Sequence, residues 1–341
     1  MPAGISVIVC CYNSVPRIEP TLKHLAVQQN LPLTQWEVIV VDNASTDNTA
    51  EKATQTWSGI DGSKPSFKVI FEKTAGLSAA RKKGIAESKY DYVLFCDDDN
   101  WLDKNYLSTA LNILQENPLI GALGGTGHPV FEGEEPPYFW INQFHTLAVG
   151  EQASVDGDIT DIRGVLYGAG MIVNKVAFRK LMEQYAFQFQ VTDRIGNLLV
   201  SSGDHELCLA LKKIGYRIYS SRLLKFQHYI PKHRTSIAYY KRLYRGFGNA
   251  YALLQVYRIN DENISDVKND YRYICLRSLM QMIVAQVKLI INGFYVRENK
   301  YKFLDQVQVF YINLGIFETT FKVKNAFRLQ YFALPLFTKT Y

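Results

Sequence analysis

Three consecutive carboxylates, Asp97, Asp98 and Asp99, close the apolar run Tyr92-Val93-Leu94-Phe95-Cys96. In a strand, successive side chains point to opposite faces, so Asp97 and Asp99 share one side and Asp98 takes the other. Two anions held so close at neutral pH call for a compensating cation, and oxygen-only ligands suit a hard divalent ion, Mn2+ or Mg2+. The carboxyl end of a buried strand is also where open α/β sheets bind ligands, and an ion there brings phosphate with it. The competing reading makes these acids caps for a helix opened by Asn100-Trp101-Leu102-Asp103. Capping would account for Asp98 alone; for the three together the sequence reads as a metal site.

The elements that must hold such a site come next. With 341 residues, 48% hydrophobic and 13% aromatic, the chain can bury a large core. No run reaches the ~20 uninterrupted apolar residues that span a bilayer. The opening Met1-Pro2-Ala3-Gly4 carries no basic leader, so neither a signal peptide nor a spanning helix is expected. Five cysteines, with Cys10 and Cys11 adjacent, show no zinc spacing and read as reduced core thiols of a cytosolic protein. The net charge of +6 divides unevenly: residues 1–207 hold 16 Lys/Arg against 25 Asp/Glu, and residues 208–341 hold 22 against 7. No acid occurs between Glu206 and Asp261, where eleven Lys/Arg fall. A long one-signed stretch implies an anionic partner, a phosphate or a membrane surface, or else a solvated basic face.

Strand and helix patterns alternate over the first hundred residues. Ile5 to Cys11, Glu37 to Val41, Phe67 to Phe71 and Tyr92 to Cys96 read as strands. Helices are predicted after Pro16, after the turn Asp42-Asn43-Ala44-Ser45-Thr46-Asp47, and from Gly76 to about Glu87. This order makes a parallel sheet with right-handed crossovers. A helix from Asn105 to Asn117 and a strand from Ile120 to Leu123 continue it. Residues 125–165, rich in Gly, Pro and acids, read as a long loop, with Tyr138 and Trp140 candidates to stack on a ligand or to anchor the loop. A strand near Met171–Val173 and a helix from Asp204 to Ile214 follow. Beyond Ser236 the chain is dense in Tyr, Lys and Arg. Ile274–Ile291 is helical but too charged, at Arg277 and Lys288, to cross a membrane; it could pack on the catalytic region, form a homodimer, or lie at an anionic bilayer interface.

Four turns fall at one edge of this sheet: Cys11-Tyr12-Asn13-Ser14, Asp42-Asn43-Ala44-Ser45-Thr46-Asp47, Gly76-Leu77-Ser78-Ala79-Ala80-Arg81 and Cys96-Asp97-Asp98-Asp99-Asn100. Their order and spacing over residues 5–100 resemble the nucleotide-sugar-binding half of inverting family 2 glycosyltransferases with the GT-A fold, an α/β, Rossmann-like and mostly parallel sheet flanked by helices. The resemblance continues more faintly through Gly168-Ala169-Gly170-Met171 and Gly203-Asp204-His205-Glu206-Leu207-Cys208 to about His228. It implies a GT-A domain over residues 1–235, with 1–124 binding the nucleotide sugar and 125–235 the acceptor, followed by a helical, basic and aromatic region over 236–341.

The resemblance also implies roles. Tyr12 and Asn13 would border base and ribose, Asp42 would accept from the base, Arg81 would grip the diphosphate, and Asp97 and Asp98 would line the donor site. Asp99 would hold the metal, with His228 completing its shell, and His233 is a weaker candidate beside Lys232 and Arg234. Asp204 would be the catalytic base, with Glu206 its substitute or an acceptor ligand and Trp140 an acceptor platform. Two departures stand out: Lys82 and Lys83 follow Arg81 where an Asn is common, and the usual Glu-Asp pair reads Gly203-Asp204. The expected activity is metal-dependent inverting transfer from a nucleotide-diphosphate sugar, UDP-linked by preference, to a saccharide or lipid-linked saccharide in surface polysaccharide synthesis. The expected location is cytoplasmic, peripheral on the inner face of the cell membrane. The rival is a non-catalytic nucleotide-binding or membrane-docking scaffold of the same fold. No base-reading motif supports a nucleic-acid partner, and the first turn lacks the G-x-G-x-x-G of dinucleotide enzymes.

Overall fold

The computed structural model describes residues 3–133, 135–137, 140, 143–191, 202–258, 264–293 and 296–323. Four strands, β1 (Ile5–Cys11), β2 (Trp36–Asp42), β3 (Ser66–Phe71) and β4 (Tyr92–Asp97), run parallel in the order β3-β2-β1-β4. They are joined by helices α1 (Ile18–Ala26), α2 (Thr49–Ser58) and α3 (Leu77–Glu87). Strands β1, β2 and β4 are almost wholly apolar because both of their faces are covered, whereas β3, at the sheet edge, is only partly buried and carries Lys68. Val7, Val9 and Val38 pack toward Leu22, Leu25 and Trp57. Their alternates Ile8, Ile39 and Phe95 pack with Ala80 and Ile85 on the opposite face. The parallel register sets Cys11 beside Asp42 and Cys10 beside Asp97, so every turn of interest opens at the same edge.

The chain continues through β5 (Asn100–Leu102), α4 (Tyr106–Glu116), β6 (Ile120–Phe131), β7 (Gly157–Asp158), β8 (Ile172–Asn174), α5 (Lys175–Gln184), α6 (Gly203–Lys213) and β9 (Arg217–Ile230). These extend the sheet as β4-β8-β6-β9-β5, with β7 beside β9, giving nine strands among the described residues. The competing reading of the three acids as helix caps does not hold, because Asn100–Leu102 opens no helix but pairs antiparallel with Phe226–His228. One expectation is corrected here. The segment expected to be loop from residue 125 is strand as far as Phe131, because Thr126–Phe131 pairs with Lys225–Ile230. Its Gly and Pro content hid a ladder whose partner lies about a hundred residues on.

Helices α7 (Ile237–Leu254), α8 (Ile264–Gly293) and α9 (Val296–Val323) complete the described chain. The Ser236 hydroxyl caps α7 by accepting from the Tyr239 amide at 3.2 Å. The α7 and α9 backbones touch: a Cβ on Gly248 would strike the Ile312 carbonyl, and one on Gly315 the Arg245 carbonyl. A further correction concerns α8. Its stretch Arg272–Ile291 is long and apolar enough to cross a membrane, because the Leu, Ile, Val and Met around Arg277 and Lys288 outweigh those two charges.

One buried pair ties α1 to the end of β4. Arg17 donates to Asp98 Oδ2 through Nη2 at 2.7 Å and Nε at 3.1 Å, and the Thr21 hydroxyl donates to the Asp98 carbonyl at 2.8 Å. Burial first, then the neighbouring Asp99 charge, push the Asp98 carboxyl up to about 6, against the opposing pull of Arg17. An acid whose folded pKa is raised binds its proton more readily folded than unfolded, so its ionisation costs stability as pH rises through that window. In an Arg17→Met variant the carboxylate loses its counter-charge, and stability at pH 8 should fall by about 3 kcal/mol. At pH 5, where Asp98 is protonated in the folded state, most of that loss should disappear. Urea unfolding at the two pH values reads the difference, and an equal loss at both would refute the pair's electrostatic role.

Candidate functional site

The carboxyl edge of β4 meets β9, α6 and α7 at a cavity of about 460 Å³, whose lining includes Arg81, Asp97, Asp204, His228 and Arg234. Arg81 comes from α3, and its guanidinium lies over the Phe95 ring at 4.6 Å, an attraction that aims it along the cavity wall. Asp204 opens α6, with its Oδ1 accepting from the His205 amide at 2.9 Å. Gly168 stands between them. A Cβ there would lie 2.6 Å from Arg81 Nη2 and 3.1 Å from Asp204 Oδ2, so the absence of a side chain lets a cation and a carboxylate face one space.

The three acids at the end of β4 separate to three environments. Asp97 faces the cavity. Asp98 turns to Arg17 on the other side, so its expected place in the donor site is corrected: its carboxylate is spent holding α1. Asp99 lies beneath the cavity wall. Its Oδ2 accepts from Arg234 Nη1 at 3.2 Å, and its Oδ1 accepts from Asn100 Nδ2 at 3.0 Å and stands 3.4 Å from His228 Nε2. The other ring nitrogen, His228 Nδ1, is 3.4 Å from the Ala148 carbonyl, which sets the plane of the imidazole.

Two acceptor-side expectations are also corrected. Trp140 is fully buried with Leu147, Tyr240 and Tyr244, and its indole Nε1 donates to the Thr235 carbonyl at 2.8 Å. Withdrawing it to stack on a sugar would forfeit about 3 kcal/mol or more of burial, so it anchors the loop. Glu206 is fully buried as well, accepting from the amides of Gln190 and Val191 at 2.8 and 2.9 Å and from the Tyr257 hydroxyl at 2.9 Å. A carboxylate so engaged is a strut, not a base. Tyr138 lies outside the described residues.

Tyr12, Asn13 and Asp42 sit at the same sheet edge but outside the cavity lining. Tyr12 is 57% exposed, as a residue offering a stacking surface must be. The Asn13 Oδ1 accepts from the Thr46 amide at 2.8 Å and the Asn13 amide donates to Ser45 Oγ at 3.0 Å, so the two turns brace each other, while Asp42 Oδ1 accepts from the Ser45 amide at 3.1 Å within the second turn. His233 does not line the cavity; burial, then the Arg234 and Arg17 charges, hold its pKa below the ordinary value.

The cavity also contains groups to which the sequence reading gave no role. Tyr239, Leu243, Phe247 and Tyr251 of α7 form an aromatic and apolar wall, recurring every four residues. That spacing was a readable helical stripe. His145, Arg163 and His205 line the cavity too. Burial, then the Arg163 charge, lower the pKa of His145 below its ordinary value, and burial lowers that of His205 against the pull of Asp204.

A divalent ion can be tested against these donors. Asp97 and His228 face the cavity and Asp99 Oδ1 stands against His228, whereas among the described residues no group of three or more His, Cys, Asp or Glu forms a cage. A site of one or two protein donors suits Mg2+ or Mn2+ bound together with substrate phosphates, which fill the remaining positions.

Residues 6–181 match the profile described as "Glycosyl transferase family 2". The chain is 30% identical over 127 residues to the poly-beta-1,6-N-acetyl-D-glucosamine synthase of Staphylococcus epidermidis, an alignment spanning 37% of this chain and 28% of that protein. It is 34% identical over 109 residues to the cholesterol galactosyltransferase of Borreliella burgdorferi, spanning 32% and 28%. The matched part is thus under a third of the length of either relative. Among solved structures, the mannosyltransferase PcManGT of Pyrobaculum calidifontis in complex with GDP-Man and Mn2+ aligns with TM-score 0.59 at 18% identity, covering 93% of this chain and 87% of that one. S. aureus TarS 1–349 in complex with UDP-GlcNAc aligns with TM-score 0.54 at 18% identity, covering 96% and 92%. These two likenesses establish a shared GT-A fold.

Because the atoms that a Gly168 side chain would meet are the ends of flexible side chains, a Gly168→Ala variant should fold with an unchanged melting temperature while displacing Arg81. Calorimetric binding of inorganic pyrophosphate should then weaken at least tenfold, in line with one charged hydrogen bond of about 1.5–3 kcal/mol. Unaltered binding would place the anion away from Arg81.

Proposed function

The chain belongs to glycosyltransferase family 2, and from that membership we propose that it transfers a sugar, with inversion, from a nucleotide-diphosphate donor to a hydroxyl of a saccharide or lipid-linked saccharide. UDP is the favoured nucleotide, and the product is a surface polysaccharide or glycolipid. The observation that carries this reading is the pairing of Arg81 and Asp204 across Gly168 inside one cavity. Transfer needs a fixed positive charge where the diphosphate departs and a carboxylate where the acceptor hydroxyl gives up its proton.

The residues divide that work. The acceptor oxygen forms its bond to the anomeric carbon as the bond to diphosphate breaks on the opposite side, and Asp204 Oδ2 takes the hydroxyl proton. Arg81 and Arg234 hold the charge that collects on the leaving oxygens, since a guanidinium stays protonated and can bridge two phosphate oxygens. Asp97 and His228, with Asp99 behind them, would hold Mn2+ or Mg2+, which when bound supplies further neutralisation of the diphosphate. Tyr12 would stack on the base, with Asn13 and Asp42 setting its turn. The α7 wall of Tyr239, Phe247 and Tyr251 takes the acceptor role expected of Trp140, offering aromatic faces to a sugar ring. The names of the similar proteins, two synthases or transferases of surface sugars or glycolipids and two structures with nucleotide sugars, support donor class and product class.

Asp204→Asn keeps a side-chain oxygen for the His205 amide but cannot accept a proton. Release of UDP from UDP-linked sugars should fall about 10²–10⁴-fold, with the melting temperature unchanged; full activity would remove Asp204 from the mechanism. A melting screen of UDP, GDP and their sugars, with and without Mn2+, tests the donor. A saturating true ligand at 100 times its Kd adds about 2.7 kcal/mol and so a rise of several degrees. A rise with GDP alone would reverse the nucleotide assignment.

A further inference from the structure

Helix α8 packs along α9, with Ser278 and Ala285 buried on one side. Its other side is bare. Leu276, Met280, Ile283 and Val287, spaced by four, three and four residues, are 63%, 66%, 57% and 50% exposed. Tyr273, Val284, Ile290 and Ile291 broaden that face. Single exposed apolar residues are ordinary, but a contiguous strip over about five helical turns marks a contact surface. The strip is also wider than the narrow seam of a coiled coil, and matches the broad apolar arc of a helix lying on a surface.

Charge identifies the occupant. From Tyr271 to Arg297 the chain contains no Asp or Glu, while Arg272, Arg277, Lys288 and Arg297 are basic. At 3.6 residues per turn, Arg277 and Lys288 lie about 20° and 40° from Val284, at the rim of the bare arc. There long basic side chains can reach lipid phosphates while their stems lie on apolar ground. A second copy of the helix would set these charges against one another with no acid to answer them. Because α9 covers the reverse side of α8 and is itself bound to α7, the helix presents one face rather than its whole circumference.

We propose that this face of α8 docks the protein on an anionic lipid bilayer, lying in the headgroup layer with Leu276, Met280, Ile283 and Val287 entering the acyl boundary. The proposal does not depend on the donor chemistry, and its test needs no turnover. The full chain is floated on a density gradient with vesicles of phosphatidylcholine alone or mixed with phosphatidylglycerol. It should float with the mixed vesicles, less so as salt rises. A variant carrying Leu276→Gln, Met280→Gln, Ile283→Gln and Val287→Gln should lose at least about tenfold in binding at an unchanged melting temperature. An Arg277→Glu, Lys288→Glu variant should lose the preference for the anionic vesicles. Absence of flotation by the unaltered protein, or equal flotation by the fourfold variant, overturns the proposal. So does a protein that sediments as a dimer, becomes monomeric in the fourfold variant and never floats, which would assign the face to a second copy.

Discussion

The site depends on how three adjacent aspartates are compensated. Packed at the end of one buried strand, Asp97, Asp98 and Asp99 cannot all remain charged without counter-charges brought from elsewhere in the chain. Arg17, at the N-cap of α1, answers Asp98, and Arg234, from beyond β9, answers Asp99 together with His228. Only Asp97 is left facing the cavity. The same pairs that satisfy the acids also fix the elements carrying them, because Arg17 ties α1 to β4 and Arg234 ties the start of α7 to the strand end. Electrostatic balance and architecture are one arrangement here.

That arrangement explains the clustering of functional groups from separate parts of the chain. Parallel strands deliver their turns to one edge, which gathers Tyr12, Asn13, Asp42 and Asp97. Strand β8 runs antiparallel to β4 and β6, whereas β6 and β9 run parallel to each other, so the approach to β8 and the end of β9 bring Gly168, His228 and Arg234 to the same edge. Gly168 leaves Arg81 and Asp204 a common space, and α7 closes it with aromatic side chains. The cavity therefore has a charged floor and an apolar wall, suited to a ligand with a phosphate end and a sugar face.

Much of this was legible in the residues because the signals were local. The buried strands β1, β2 and β4 are almost wholly apolar, and the acids stand where the last of them ends; only Asp97 lies within β4, so the directions of Asp98 and Asp99 are set by the turn and by Arg17 and Arg234 rather than by strand alternation. What could not be read was decided by distant partners. Nothing near Glu206 announces that its carboxylate is claimed by Gln190, Val191 and Tyr257, and nothing near Trp140 announces Thr235. Strand β6 beyond Gly124 looked like loop because its ladder depends on β9. The apolar reach of α8 was hidden by two charges whose weight is small against their neighbours. For Glu206, Trp140 and β6 long-range pairing overrode a sound local reading.

The central claim is that Arg81 meets the diphosphate at the space left by Gly168. Calorimetry of uridine and of UDP against the unaltered protein and an Arg81→Ala variant tests it most directly. The account predicts that UDP binding weakens at least about tenfold in the variant, while uridine binding is unchanged. Equal weakening of both ligands, or no weakening of UDP, would contradict it.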